Sequence, residues 1–143
     1  MALSALALAT TPAWGLRSAS PRLTPAQVLK VALRVAKADA DAHPSNIMLA
    51  SGRLAVAVKV FDPHAHTTPY GLKALGGANS IVDLVAMHGQ FTSHGPHPRN
   101  RPEPKGTVLE LLMNARSGVV FGVSLGPKLA APPSRLGTVR QLR

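Results

Sequence analysis

The sequence predicts an α+β fold: one N-terminal helix packed on an antiparallel sheet of four to five strands. Three observations carry that expectation. Residues 81–91 form an apolar run, and residues 107–114 alternate. In the alternating stretch Leu109, Leu111 and Met113 share one face, and Val108, Glu110, Leu112 and Asn114 share the other. Ala115-Arg116-Ser117-Gly118 then supplies a tight turn, after which Val119, Phe121, Val123 and Leu125 resume a single apolar face. This reads as an antiparallel hairpin in a half-buried sheet. Upstream stands a capped amphipathic helix able to cover it.

That helix begins at Leu23-Thr24-Pro25-Ala26-Gln27. Thr24 can cap, Pro25 suits the first helical position, and Gln27 completes a capping box. Val28, Leu29, Ala32, Leu33, Val35 and Ala36 fall on one stripe, with Lys30, Arg34 and Lys37 mainly opposite. His43-Pro44 ends the helix at the latest. Residues 46–50 form a short strand candidate, and Ser51-Gly52 reads as a turn. In residues 54–61 Leu54, Val56, Val58 and Val60 alternate as a further strand, and Lys59 marks its opposite face as wet. Residues 62–79 and 92–105 read as long loops, broken by prolines and glycines. Gly118 fits the positive-φ position that the last turn requires.

The domain organisation expected is a signal-like or disordered segment at residues 1–22, one α+β domain at 23–126, and a disordered basic tail at 127–143. Residues 2–9 are apolar, far short of the roughly 20 residues needed to span a bilayer. They match the core of a secretory signal, with small residues following as a cleavage site. No Lys or Arg precedes the run, which a start lying inside a longer signal would explain. A transit peptide and an unstructured terminus are the rival readings.

Net charge is +10, and its distribution matters more than its size. Arg17, Arg22, Lys30, Arg34 and Lys37 precede the first acid, Asp39. The middle is balanced, and Arg116, Lys128, Arg135, Arg140 and Arg143 follow the last acid, Glu110. Flank charge of this kind is ordinarily solvated, and it is also compatible with loose attraction to nucleic acid or other polyanions. Cysteine is absent, which removes disulfides, thiol nucleophiles and thiolate metal sites. Aromatics make up 3%, so the core must come from Val, Leu, Ala and Met.

No catalytic constellation is present. A nucleophile elbow, a P-loop and an HExxH motif are all missing. The weak metal candidates are His64 and His66 in one long loop and His94 and His97 in the other, with Asp62 near the first pair. Loop histidines are usually solvated, so the expectation is no metal and no cofactor. Asp83, set in an apolar strand, is the acid whose pattern predicts partial burial and a raised pKa. Its plainer alternative is a strand-edge carboxylate facing solvent or a lysine.

Residues 23–33, Leu-Thr-Pro-Ala-Gln-Val-Leu-Lys-Val-Ala-Leu, resemble the opening helix of PepSY-type domains. Residues 114–120, Asn-Ala-Arg-Ser-Gly-Val-Val, look like their closing hairpin, with Asn114 and Ser117 standing where Asp and Thr are usual. The two long loops fit a cystatin-like helix-on-sheet family instead. Either resemblance implies a small exported domain, in some relatives linked to peptidase propeptides or inhibition, and carries over no catalytic residue. The functional expectation is therefore a non-enzymatic exported module that binds a protein, peptide or envelope partner through an edge strand and the long loops. The alternative is a basic intracellular protein that associates with nucleic acid through its flanks.

Overall fold

A computed structural model describes residues 20–143; the signal-like stretch falls almost wholly outside those residues. Helix α1 spans Pro25–Ala38 and starts as its sequence requires. The Gln27 N–H donates to Thr24 Oγ1 at 3.3 Å, and the Thr24 N–H donates to Gln27 Oε1 at 2.8 Å. This reciprocal pair satisfies two of the helix's orphan donors. Val28, Ala32 and Ala36 form its buried stripe, while Lys30, Arg34 and Lys37 stay exposed.

The remaining elements are β1 (Ser45–Arg53), α2 (Leu54–Phe61), α3 (Pro69–Ala74), β2 (Ile81–Thr92), β3 (Lys105–Asn114), β4 (Val120–Gly126) and β5 (Arg140–Gln141). A short 3-10 turn, Pro133–Arg135, precedes β5. The strands form one open sheet in the order β4-β3-β2-β1-β5, with every neighbour antiparallel. The predicted α+β architecture, a helix on a five-stranded antiparallel sheet, is the one observed.

Both faces of the sheet centre are buried, not one. Val85, Met87, Leu109, Leu111 and Met113 point toward α1 and share a cluster with Val28, Ala32 and Ala36. Their neighbours Val82, Leu84 and Leu112 point the other way, into a second cluster with Leu54, Ala57, Val58 and Val60 of α2. Strand alternation thus feeds two cores on opposite faces.

That second core rests on a helix where a strand was expected. The β1 strand runs straight through Ser51-Gly52, pairing Arg53 with Ile81, so no turn occurs there. Over residues 54–61 the same apolar residues satisfy either period, since Leu54 and Val58 are i and i+4 as well as alternate positions. The chain has just left the sheet and must cover its naked face. The helix buries Leu54, Ala57, Val58 and Val60 and turns Val56 outward, 45% exposed. Tertiary burial overrides the β-propensity of three valines. Phe61 ends α2 over Gly122, where a Cβ would stand 3.2 Å from the ring.

Residues 127–143, expected to be disordered, instead fold back across the sheet. From the end of β4 they cross the α2 face, burying Ala131 and packing Leu136 on the second cluster. Leu136 seats on Gly52, where any Cβ would collide with it. The Leu142 N–H donates to Ile47 O at 2.7 Å, the Ile47 N–H donates to Arg143 O at 3.0 Å, and Leu142 reaches the α1-side core. The tail lacks periodicity because each apolar residue fills a separate notch. The last turn matches expectation: Gly118 has φ 71°, and Asn114 Oδ1 accepts from the Arg116 and Ser117 N–H groups at 2.9 and 3.0 Å. The loop at residues 62–79 contains α3, capped by Thr68, whose Oγ1 accepts from the Gly71 N–H.

Gly137 stands where a Cβ would meet Ser51 O at 2.6 Å. Gly137→Ala is therefore expected to lower the urea midpoint by the equivalent of about 1–3 kcal/mol, through displaced backbone. A tail that does not pack would leave the midpoint unchanged.

Candidate functional site

Three features of the fold can do chemistry: an open sheet edge, a polar cavity at the other side of the sheet, and a buried carboxyl. The open edge is β4. It pairs with β3 on one side, and among the described residues no strand pairs with its other side. Natural edge strands usually carry a charge or a proline that prevents further pairing. Residues 119–126, Val-Val-Phe-Gly-Val-Ser-Leu-Gly, hold neither, and Val119 and Val123 are 61% and 52% exposed. Arg116 lies just before this stretch and Lys128 just after it.

The cavity, of about 370 Å³, lies under the start of α1. It is lined by Arg22, Leu23, Pro25, Leu49, Ser51, Asp83, Thr138 and Arg140. Asp83 is buried, as its apolar surroundings predicted, and it sits on the α1 face beside its β1 neighbour Ser51. Ser51 Oγ donates to Asp83 Oδ1 at 2.6 Å, and Arg22 Nη2 lies 3.6 Å from the same oxygen. The Arg22 side chain is half exposed, so that ion pair adds little to stability. Sequence reasoning found Asp83 but none of its neighbours, which arrive from three separate segments: the start of α1, β1 and the C-terminal stretch.

The carboxyl that is buried without adequate partners is Glu110. It faces the α2 side between Ala86 of β2 and Ser124 of β4 and is 2% exposed. Its Oε2 accepts from the Ala130 N–H at 3.4 Å, and Oε1 has no partner among the described residues. Burial pushes its pKa above the ordinary carboxylate value, partly opposed by the Ala130 N–H. Asp39, at the end of α1, is likewise raised by burial and pulled back by His94. The alternation places Glu110 on the face opposite Leu109 and Leu111, and in the fold that face too is covered, by α2 and the C-terminal segment, where a half-buried sheet was expected.

The loop histidines are not brought together. His64 and Ser124 line the same shallow pocket, and the His64 backbone N–H donates to Asp62 Oδ1 at 3.0 Å. His66 is exposed in the same loop. His94 Nδ1 is 3.3 Å from Glu103 Oε1 within the β2–β3 loop, and His97 Nδ1 is 3.1 Å from Gly95 O. No group of three or more metal-ligating side chains converges among the described residues. No described helix is long and apolar enough to cross a membrane. No family model, curated protein or solved structure matches this chain.

A carboxyl whose pKa is raised by folding stabilises the fold fully below its unfolded value, and that contribution is lost as pH rises through the folded value. Glu110→Gln keeps the shape and removes the ionisation. Its stability is expected to fall less than that of the parent between pH 4 and pH 8. At pH 8 the variant gains about 1–3 kcal/mol, the cost of an ill-partnered buried charge. Parallel urea curves with no pH-dependent gap would show Glu110 to be adequately solvated.

Proposed function

We propose that this protein is a non-enzymatic binding module that captures an extended polypeptide segment along β4. The uncharged, proline-free outer edge of that strand carries the reading. An added strand would take its affinity from main-chain hydrogen bonds and its specificity from alternate side chains. Val119 and Val123 offer apolar contacts on the edge, and Arg116 and Lys128 flank the stretch. The same two cations argue against a second copy as the occupant. Antiparallel self-pairing of β4 would set Arg116 of one chain toward Lys128 of the other, on a molecule of net charge +10. The favoured partner is an extended peptide with alternating apolar residues and acidic ends.

Selection from a displayed library of short random peptides tests this. Enriched sequences should alternate apolar residues between acidic ends, and their amide-shift footprint should follow β4. Val119→Lys with Val123→Lys should weaken the selected peptides by about tenfold or more, a loss of about 1.4 kcal/mol. A footprint elsewhere, or indifference to the lysines, would overturn the reading.

A second reading rests on the outer face of α1. Lys30, Arg34 and Lys37 stand one above another there, exposed, and no carboxylate of the described residues pairs with them. Loose association with nucleic acid through this stripe should weaken steeply with added salt. Changing the three residues to Gln should reduce the slope of log affinity against log salt by about 2–3. A salt-independent affinity for single-stranded DNA, or an unchanged slope, would exclude it.

A further inference from the structure

We propose that the cavity under the start of α1 binds a free α-amino acid with an apolar side chain, holding its ammonium on Asp83 and its carboxylate on Arg140. The site is separate from β4, at the β1–β5 side of the sheet. Its two ends carry opposite charge. At the floor Asp83 is buried, and among the described residues its Oδ1 accepts from Ser51 and lies 3.6 Å from the half-exposed Arg22. Asp83 Oδ2 receives no hydrogen bond among the described residues, and Asp83 lines the cavity. A buried carboxylate that lines a cavity, with only a half-exposed arginine as its cation, has capacity for a further charged donor.

Arg140 supplies the other end. It lies opposite Leu49 on the far side of β1, whereas Asp83 lies opposite Ser51 on the near side. Two strand spacings and one two-residue step put their Cα atoms roughly 12 Å apart. A short aspartate and a long arginine reaching inward close that gap to the length of a small zwitterion. Arg140 makes no ion pair with any described residue, and residues 1–19 contain no Asp or Glu that could supply one. Its guanidinium is thus available to a ligand carboxylate in bidentate fashion. Leu23, Pro25 and Leu49 form the apolar part of the lining, suited to an aliphatic side chain.

The charge order selects among ligands. A phosphate-sized dianion meets Asp83 on the floor, and a simple amine meets two arginines at the rim. Only a molecule carrying both signs satisfies both ends. Specificity of this kind comes from the partners left unpaired by a wrong ligand.

Titration of the full chain with L-leucine, followed by amide chemical shifts, tests the assignment against two half-ligands, 3-methylbutylamine and 4-methylpentanoate. Leucine should saturate shifts at Leu49, Ser51 and Asp83, with either half-ligand weaker by about tenfold or more. Arg140→Gln, at an exposed position, should cost leucine a similar factor while leaving the urea midpoint near that of the parent. Asp83→Asn should do the same wherever its fold is retained. Tight binding of 4-methylpentanoate alone would make this an anion site and overturn the proposal. So would the absence of saturable shifts with leucine, or leucine affinity unchanged by Arg140→Gln.

Discussion

The pairing of β2 with β3 is the constraint from which the rest of the fold follows. The two strands lie in register from Val82–Asn114 to His88–Val108, and between these limits nearly every residue is buried on one face or the other. Full burial of a Val or Leu side chain is worth about 1.5–3 kcal/mol, a gain realised only if something excludes water from that face. Two apolar faces therefore demand two covers. Helix α1 provides one, burying Val28, Ala32 and Ala36 in the same cluster as Val85 and Met87. Helix α2 and the crossing C-terminal segment together provide the other. Glu110 is caught beneath that second cover, where it meets one backbone N–H instead of water.

What could be read in the sequence follows from how local each signal is. The start of α1 is written in four consecutive residues, and its stripe repeats at one period, so both were legible. The β3–β4 turn was legible for the same reason, since Asn114 and Gly118 each have a local task. Residues 54–61 were not, because eight residues containing Leu54 and Val58 fit two periods, and only the face left open by β1 decides between them. Gly52 reads as a turn residue in isolation. In the fold it is a notch for Leu136, a residue more than eighty positions away. The cavity shows the same division. Asp83 stood out as an acid among apolar neighbours, but Ser51, Arg22 and Arg140 are brought to it by strand register and by a tail with no period of its own.

The molecule presents two sheet edges of opposite character. On the β4 side the backbone edge is long and uncharged, suited to another extended chain. On the β1 side a two-residue strand closes the edge and brings an arginine over a buried acid. The two edges stand at opposite ends of the five-stranded sheet, so substitutions at one are expected to add independently to substitutions at the other.

The short strand β5 also shapes how the chain reaches this structure. Met48 pairs with Gln141, a contact spanning most of the described chain. Loop closure over such a distance is entropically costly and is ordinarily recovered late, after nearer pairings have formed. The hairpins β2–β3 and β3–β4 close over far shorter loops and can assemble first. Until the C-terminal segment crosses, the outer side of β1 and the underside of the sheet at Gly52 stand open to water and to other chains. Aggregation during refolding should thus be governed less by the stability of the finished sheet than by how fast Leu136 and Leu142 find their seats.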